Sequence, residues 1–399
     1  MIRRIRIRDF KSIRDVTLDL EPVTVLVGRS GVGKSNLVQA IRFLRNHLLN
    51  VGEAVNFEGG WPRIVPAGLS KPATSLEVVF SLPGEEGEYT YRFTHGMRGQ
   101  DAFFAQRSHP SLVEEYLSLG ADVLFHREHD GGQWKWLKAP ELANVPGMSD
   151  GPMLGAFPAL QKVVYAFAAL STGIGCYHFP SSVLGIHDTQ GNGSATQLLT
   201  SGLQDDGRNH KDALKGIIQD FQHPAVRKSI MASLQSVNAS VLSVELDSLS
   251  NPGSVIVGHE AAKVVGLSLE QESDGFRRFY VHLLALYQSP PKLTLLFEEP
   301  ENAIFPGALS LLAEEFKAAP GEGRGQIIVT THSPGLLDSF DVACVRVVDM
   351  VHGETKVGPV AADQAEAVRE QLLKTGELLT VTRPRMEGAL IDAPEVNQA

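Results

Sequence analysis

Eight residues, Gly28-Arg29-Ser30-Gly31-Val32-Gly33-Lys34-Ser35, constrain this chain more than any others. They match the phosphate-binding pattern G-x-x-x-x-G-K-S. The flanks suit it. Val23-Thr24-Val25-Leu26-Val27 is a run of β-branched and apolar residues, as a buried parallel strand requires. Leu37, Ala40, Ile41, Leu44 and Leu48 follow at helical spacing. Strand, glycine loop and helix in that order point to an α/β fold. The glycines let successive backbone N–H groups face one concavity, and the helix N-terminus adds partial positive charge. Ser30, Gly31, Val32 and Gly33 would cradle a polyphosphate, and Asn36 is counted with them. Lys34 would reach the β- and γ-phosphates, and Ser35 would ligate Mg²⁺.

Composition narrows the class. The chain has 399 residues, enough for roughly two or three domains. Its 43% hydrophobic and 21% charged content is that of an ordinary globular protein. A net charge of −10 argues against a general nucleic-acid coat, though not against a local DNA-binding face. Cys176 and Cys344 stand far apart and form no C-x-x-C pair, which fits a reducing cytoplasm and gives no zinc or disulfide framework. No apolar stretch reaches the ~18 residues that span a bilayer. The arginine-rich start lacks an apolar stretch after it, so it does not read as a signal peptide.

Residues 2–10 alternate isoleucine with arginine, as a half-exposed strand does. Arg4, Arg6 and Arg8 fit a solvated strand face better than a DNA contact. Val16, Leu18 and Leu20 continue a second alternating strand. Residues 76–80 and 89–93 read as a hairpin around Pro83-Gly84, and 123–138 as another around Asp130-Gly131-Gly132. His126 and His129 sit on that second hairpin without evident partners at metal-ligand spacing, so they read as exposed strand residues. A helix is expected over 162–170, a strand over 176–180, and a helix after Asp205 that ends at His223-Pro224.

Three further patches carry chemistry. In Leu293-Thr294-Leu295-Leu296-Phe297-Glu298-Glu299-Pro300-Glu301-Asn302 an apolar strand ends in two carboxylates, the Walker B pattern. Glu298 would hold Mg²⁺, and Glu299 would position and polarise an attacking water. In Gln326-Ile327-Ile328-Val329-Thr330-Thr331-His332-Ser333-Pro334 a buried strand again ends in polar residues. His332 can donate a hydrogen bond to a γ-phosphate or serve a structural role. In Ser273-Asp274-Gly275, Ser273 and Gly275 open a helix as a second anion site or as an ordinary N-cap.

Taken in order, the P-loop, Ser-Asp-Gly, Glu-Glu-Pro-Glu and Thr-His-Ser-Pro resemble the ABC-type ATPase heads of the SMC, RecF and OLD group. Within it they resemble the AAA-21 ATPases of DNA repair or phage defence. Ile7-Arg8-Asp9-Phe10-Lys11-Ser12-Ile13 resembles that group's N-terminal segment, whose basic residue, here Lys11, lies near the nucleotide. The resemblance implies an α/β fold of the P-loop NTPase class. It would be an ABC-type head with a mixed sheet, an N-terminal antiparallel β subdomain and a helical signature lobe. The expected layout is a head over 1–350 and a C-terminal tail over 351–399. Residues 1–50 and 290–350 would form the nucleotide-binding core, 51–180 an inserted β-rich region and 181–289 the signature lobe. The resemblance also implies ATP, Mg²⁺ and a head-to-head dimer or higher oligomer. Ser273 and Gly275 would touch the nucleotide of the opposite chain. Glu299, Lys34 and His332 would carry hydrolysis.

There are departures. The signature is Ser-Asp-Gly rather than Ser-Gly-Gly, and Phe305 stands where histidine is frequent. No glutamine is identified as the Q-loop, and the SMC coiled coil is missing. Residues after Asp349 are too few for the Toprim domain of OLD nucleases, since an ordinary domain takes roughly 100. That stretch has Asp363 and Glu366 but no compact acidic cluster. The expected function is an ATP-driven switch acting on a separately encoded effector such as a nuclease, in the cytoplasm and without a membrane. The alternatives are a DNA-binding repair ATPase of RecF type and a non-catalytic nucleotide-binding scaffold.

Overall fold

Alternation of buried and exposed residues at period two decides where each strand lies. The structure, a computed structural model, describes residues 1–69, 71–96, 111–129, 133–139, 161–180, 202–220, 224–247, 254–260 and 266–388. Its strands, in chain order, begin with β1 (Ile2–Phe10), β2 (Ile13–Asp19), β3 (Val23–Val27), β4 (Ala73–Phe80), β5 (Tyr89–Gly96), β6 (Ser111–Leu119), β7 (Asp122–His129) and β8 (Trp134–Lys138). They continue with β9 (Ile174–Tyr177), β10 (Val241–Leu246), β11 (Val255–His259), β12 (Leu267–Ser268), β13 (Thr294–Glu298), β14 (Gln326–Thr330), β15 (Val345–Val351) and β16 (Glu354–Pro359).

The central sheet has the order β16-β15-β3-β14-β13-β9. All its pairs are parallel except β15–β16, so the sheet is mixed. Both faces are buried. Val25, Val27, Leu295, Phe297, Ile327 and Val329 point into one core. Leu26, Leu296 and Ile328 point into the other. That is why these strands read as continuous apolar runs. The first core is closed by helices His210–Gln219, Pro224–Val237, Asp274–Tyr287 and Pro306–Gly321. The second is closed by helices Lys34–Leu49 and Gln161–Leu170 and by the second sheet.

That second sheet is antiparallel, with the order β2-β1-β4-β5-β6-β7-β8. In β1 the register shifts between Ile2 and Arg4, which turns both Ile2 and Ile5 inward despite three residues of separation. Gln326 stitches the two sheets together. Its Nε2 donates to the carbonyls of Ile2 (2.8 Å) and Glu21 (2.9 Å), and its Oε1 accepts from Ile2 N (3.0 Å). A third, small sheet has the order β10-β11-β12, within the stretch 181–289 expected as the signature lobe. No helix among the described residues is long and apolar enough to cross a membrane.

Sequence and structure differ at the edges of these units. Strand β9 lies within the expected inserted region, yet it pairs with β13 in the central sheet. Strand β6 and helices Pro224–Val237 and Pro306–Gly321 were not foreseen. Pro224 opens a helix rather than ending one, because its missing N–H costs nothing in a first turn. The turn 130–132 lies outside the described residues. Residues 354–359, expected in the tail, form an edge strand of the central sheet.

This edge strand has a local task. Gly33 has φ +102°, and a Cβ there would lie 2.0 Å from Thr355 Oγ1. Thr355 packs on the phosphate loop and donates from Oγ1 to Val32 O (3.0 Å). Ser12 Oγ sits 2.6 Å from Thr355 Oγ1 and accepts from Asn36 Nδ2 (2.6 Å). The arginines of β1 are likewise engaged. Arg4 Nε meets Asp19 at 2.6 Å, Arg6 grips Asp15 with two hydrogen bonds, and Arg8 lies 3.5 Å from Asp15. The bonds from Arg6 hold the Asp15 carboxyl below its usual range.

Thr355→Val keeps the shape but leaves the Val32 carbonyl and the Ser12 hydroxyl without that partner. It should cost about 1–3 kcal/mol in denaturant unfolding, against little for the exposed control Thr17→Val. Equal midpoints for the two variants would contradict the clamp. Changing Arg4, Arg6 and Arg8 to Gln should leave both DNA affinity and its salt dependence as in the parent. A flatter salt dependence would put DNA on this face.

Candidate functional site

Register brings the chemistry to one edge. Leu26 pairs with Thr330, and Thr330 pairs with Glu298. The phosphate loop, the histidine turn and the two glutamates therefore leave from adjacent carboxyl ends of three parallel strands, where open α/β sheets bind ligands.

The loop from Gly28 to Gly33 ends at the helix Lys34–Leu49. Gly31 has φ +79° and Gly33 φ +102°, conformations that favour glycine. Gly33 is the N-cap and offers no side-chain acceptor to the first turn. Lys34 is buried, and its Nζ donates to the carbonyls of Gly28 (2.8 Å) and Arg29 (2.9 Å). Burial pulls its pKa from 10.5 down to about 8, against the opposing pull of Glu299 and Glu301. Ser30, Gly31 and Ser35 are exposed and Val32 is buried. Asn36 is committed to Ser12.

Glu298 closes β13, and Glu299 follows with φ +46°, an uncommon conformation for a side-chain-bearing residue. The Glu299 N–H donates to Thr330 O (3.0 Å), and Asn302 Nδ2 donates to Glu299 Oε2 (3.1 Å). His332 Nε2 lies 3.5 Å from Glu299 Oε1, with both side chains partly open to solvent. Glu301, which the sequence left without a role, accepts from Thr331 Oγ1, His332 N and Ser333 N.

The remaining expected residues lie around this edge. Lys11 has φ +53°, and its Nζ bonds Gln39 Oε1 (2.7 Å) and Glu58 Oε2 (2.5 Å). Glu58 is buried and also takes Arg42, a pairing no sequence pattern announced. Ser273 caps the helix Asp274–Tyr287, its Oγ accepting from Phe276 N (3.2 Å). Gly275 lies against the loop after Glu301, since a Cβ there would meet Ala303 O at 2.9 Å.

A cavity of about 670 Å³ adjoins Glu298, between the helix Lys34–Leu49 and residues 204–208. Arg45 and Asp205 form a bidentate pair in its wall, at 2.7 Å for both bonds. Cys176 also lines it, and burial pushes that thiol up to about 12, so it is no thiolate near neutral pH.

Away from the edge, His126 is half-buried, with Nε2 3.4 Å from Glu114 and 3.5 Å from Glu128. The partners at ligand spacing that the sequence did not reveal are therefore present. Arg92 Nη2 already occupies the same Glu114 oxygen at 2.7 Å, so a cation is in place there. His129 meets the Trp134 ring edge-on. In the C-terminal segment, Asp363 pairs with Arg385.

Comparison with known proteins agrees with this geometry. Residues 200–338 match the family described as "AAA domain, putative AbiEii toxin, Type IV TA system", and residues 1–82 match the family "AAA ATPase domain". A curated relative, the DNA replication and repair protein RecF of Arthrobacter sp. (strain FB24), is 50% identical over 131 residues. That match covers 32% of this chain and 29% of RecF. A crystal structure of an Smc head bound to the C-winged helix domain of ScpA is similar with a TM-score of 0.55, at 16% identity, over 91% of this chain and 99% of that one. An Smc head with an extended coiled coil, bound to a ScpA C-terminal domain derived from Pyrococcus furiosus, gives 0.52 at 13% identity, over 93% and 99%. The three-strand edge, the two AAA family matches, the RecF match and the Smc-head likeness converge on one architecture: this chain has the fold of an SMC/RecF-like ABC-type ATPase head.

Proposed function

We propose that the protein is an ATP-hydrolysing switch. The observation that carries the reading is the meeting of Lys34, Glu298, Glu299 and His332 at one edge of three parallel strands. The chain's own groups fit Mg²⁺ and ATP. Gly31 leaves open space where a Cβ would stand, and the first turn after Gly33 has no side-chain cap. The Lys34 ammonium rests on loop carbonyls that a phosphate oxygen would replace. Ser30, Gly31, Val32, Gly33, Lys34 and Ser35 would hold the phosphates, with Ser35 and Glu298 on the metal. Bound Mg²⁺ would neutralise charge on the phosphates. Glu299 would orient the water and accept its proton at a carboxylate oxygen, and His332 would donate a hydrogen bond towards the terminal phosphate.

In this reading the head spans residues 1–350 together with the edge strand up to Pro359. Two heads would close on ATP, with Ser273 and Gly275 facing the nucleotide of the opposite chain. The output would be a separately encoded effector, in DNA repair or anti-phage defence, in the cytoplasm. The RecF match supports the repair setting. Direct DNA binding through β1 is the weaker alternative, because Arg4, Arg6 and Arg8 already face aspartates. The carboxylate at Glu299 speaks against a non-catalytic scaffold.

Lys34 gives the site a pH signature. Phosphate charge favours the protonated ammonium, so binding takes up a proton wherever the nucleotide-free lysine has lost one. ATP affinity should weaken as pH rises through about 8. From about 8 to 10.5 the unfolded chain binds a proton that the folded chain lacks, so the nucleotide-free protein should gain stability across that window. A fluorescent ATP analogue titrated from acid to alkaline pH reads the first effect, and a flat affinity would refute it.

Glu299→Gln should lower hydrolysis by about 100-fold or more while leaving ATP binding intact. ATP should then shift this variant towards dimer in sedimentation, by mass action on the closed form. Ser273→Arg should block that dimer without abolishing ATP binding. Mixing Lys34→Ala with Ser273→Arg chains should restore some turnover, because one composite site keeps both an intact loop and an intact signature. Unchanged mass of Glu299→Gln with ATP, together with normal hydrolysis by Ser273→Arg, would rule out the shared site.

A further inference from the structure

Glu301 stands out because it is a carboxylate used for geometry rather than left for chemistry. It lies two residues after Glu299, in the tight turn where Asn302 N donates to Glu299 O (3.2 Å) and Ile304 N donates to Glu301 O (3.1 Å). One oxygen, Oε1, collects three donors from the neighbouring turn: Thr331 Oγ1 at 2.7 Å, His332 N at 2.8 Å and Ser333 N at 3.2 Å. These donors sit where β14 ends, so no strand partner is there to satisfy the two N–H groups. Thr331 is fully buried, and its N–H goes to Leu26 O (3.2 Å) near the end of β3, just before the phosphate loop. Ser333 Oγ in turn caps the short helix Pro334–Leu337. Ser333 N is shared with Thr331 Oγ1 (2.9 Å), itself a donor to Glu301, so Glu301 and the Thr331 hydroxyl together hold the segment from which His332 projects.

The other oxygen, Oε2, is buried and has no hydrogen-bond partner among the described residues. A half-satisfied buried carboxylate is costly, and a position with only a packing task would be served as well by an apolar residue. Glu299 differs: its side chain is 39% exposed and lies 3.5 Å from His332, which is 35% exposed. Glu301 is also only part-buried as a residue, but its Oε2 atom lies out of solvent. Glu301 Oε1 is therefore committed to backbone and hydroxyl donors, and the more exposed Glu299 remains the water-orienting carboxylate of the two.

We propose that Glu301 is the positioning residue that sets His332 against Glu299, coupling the turn after β13 to the turn after β14. The inference rests on the ATPase reading above, but the placement of the histidine turn is a property of the nucleotide-free chain. If Glu301 is lost, Thr331, His332 and Ser333 lose their common acceptor, and His332 swings relative to Glu299 without any change in the phosphate loop.

Two measurements on the full chain test this. In hydrogen exchange without nucleotide, Glu301→Ala should speed exchange of the His332 amide by about tenfold or more, the scale of a lost bond to a charged acceptor, and that of Ser333 by less, because Thr331 Oγ1 still accepts from it. Glu301→Gln keeps a carbonyl acceptor and should restore most of the protection. In steady-state kinetics, Glu301→Ala should lower kcat by about 10- to 100-fold, as small misplacements of a reacting group do, with ATP affinity changing far less than kcat. Glu301→Ala combined with His332→Ala should be no slower than His332→Ala alone, because both act through one group. If Glu301→Ala does not fold, Glu301→Asp, too short to reach all three donors, replaces it in every arm. Unchanged amide exchange, or a double variant slower by the product of the single effects, overturns the proposal. If the parent chain hydrolyses no ATP, the ATPase reading fails, while the exchange arm still decides the role of Glu301.

Discussion

The parallel pairing of β3, β14 and β13 is the constraint on which the rest depends. Parallel strands cannot be joined by tight turns, so each must be reached by a crossover, and all carboxyl ends fall on one side. With Leu26, Thr330 and Glu298 level with one another, the residues after each strand have nowhere to go but the same edge. Both faces of these strands are buried, so a slip of one residue would move an apolar side chain from one core to the other without exposing it. Polar strand ends resist that slip instead. Gln326, bonded to Ile2 and Glu21, fixes the start of β14, and Glu301 fixes the turn beyond its end.

The edge is held rigid by strained and buried features whose cost is met elsewhere in the fold. Glu299 and Ala303 adopt φ +46° and +60° on either side of Glu301, and Lys11 adopts φ +53° beside the phosphate-loop helix. Backbone in that region persists only where surrounding contacts over-determine it. Here the contacts are specific. Asn302 bonds Glu299, Glu301 bonds the histidine turn, and Glu58 gathers Lys11 and Arg42. At its far end, the phosphate-loop helix is anchored through His47, whose ring nitrogens face His95 (2.8 Å) and Tyr91 (3.3 Å) inside the second core. Burial and the neighbouring charges depress the His47 pKa, so this anchor stays neutral. The helix is thus fixed at both ends, by the Thr355 clamp on its first turn and by a buried polar chain on its last.

How much the sequence made legible depends on how local each signal is. The phosphate loop, the two acidic residues after β13 and the histidine after β14 each depend on a short strand and the few residues behind it. The alternating β1, the β4–β5 hairpin and the helix Lys34–Leu49 were legible for the same reason. Strand β9 was recognisable as a strand but not as a partner of β13, because pairing across more than a hundred residues leaves no local trace. Thr355 sits in a stretch read as tail, and its value lies entirely in the gap at Gly33 that it fills. Lys11 and Asn36 show the converse. Their motif positions were visible, yet their hydrogen bonds to Glu58 and Ser12 depend on residues that no spacing rule connects.

On the proposed reading, charge would explain why such a site takes both a polyphosphate and a divalent cation. Two carboxylates, Glu299 and Glu301, act on Lys34 strongly enough to oppose its burial, yet not strongly enough to keep its pKa near 10.5. The lysine is thus poised below its ordinary value and gains most from a further negative charge. Glu298 and Glu299, close by, would repel that same charge. A polyphosphate alone would satisfy the lysine and burden the glutamates, while a cation alone would do the reverse. Only the two together, metal against carboxylates and phosphate against ammonium, relieve both halves of the edge at once. If two heads close on ATP as proposed, the same imbalance would make that closure sensitive to the terminal phosphate, since its loss would return Lys34 and the glutamates to the unfavourable arrangement they hold without nucleotide.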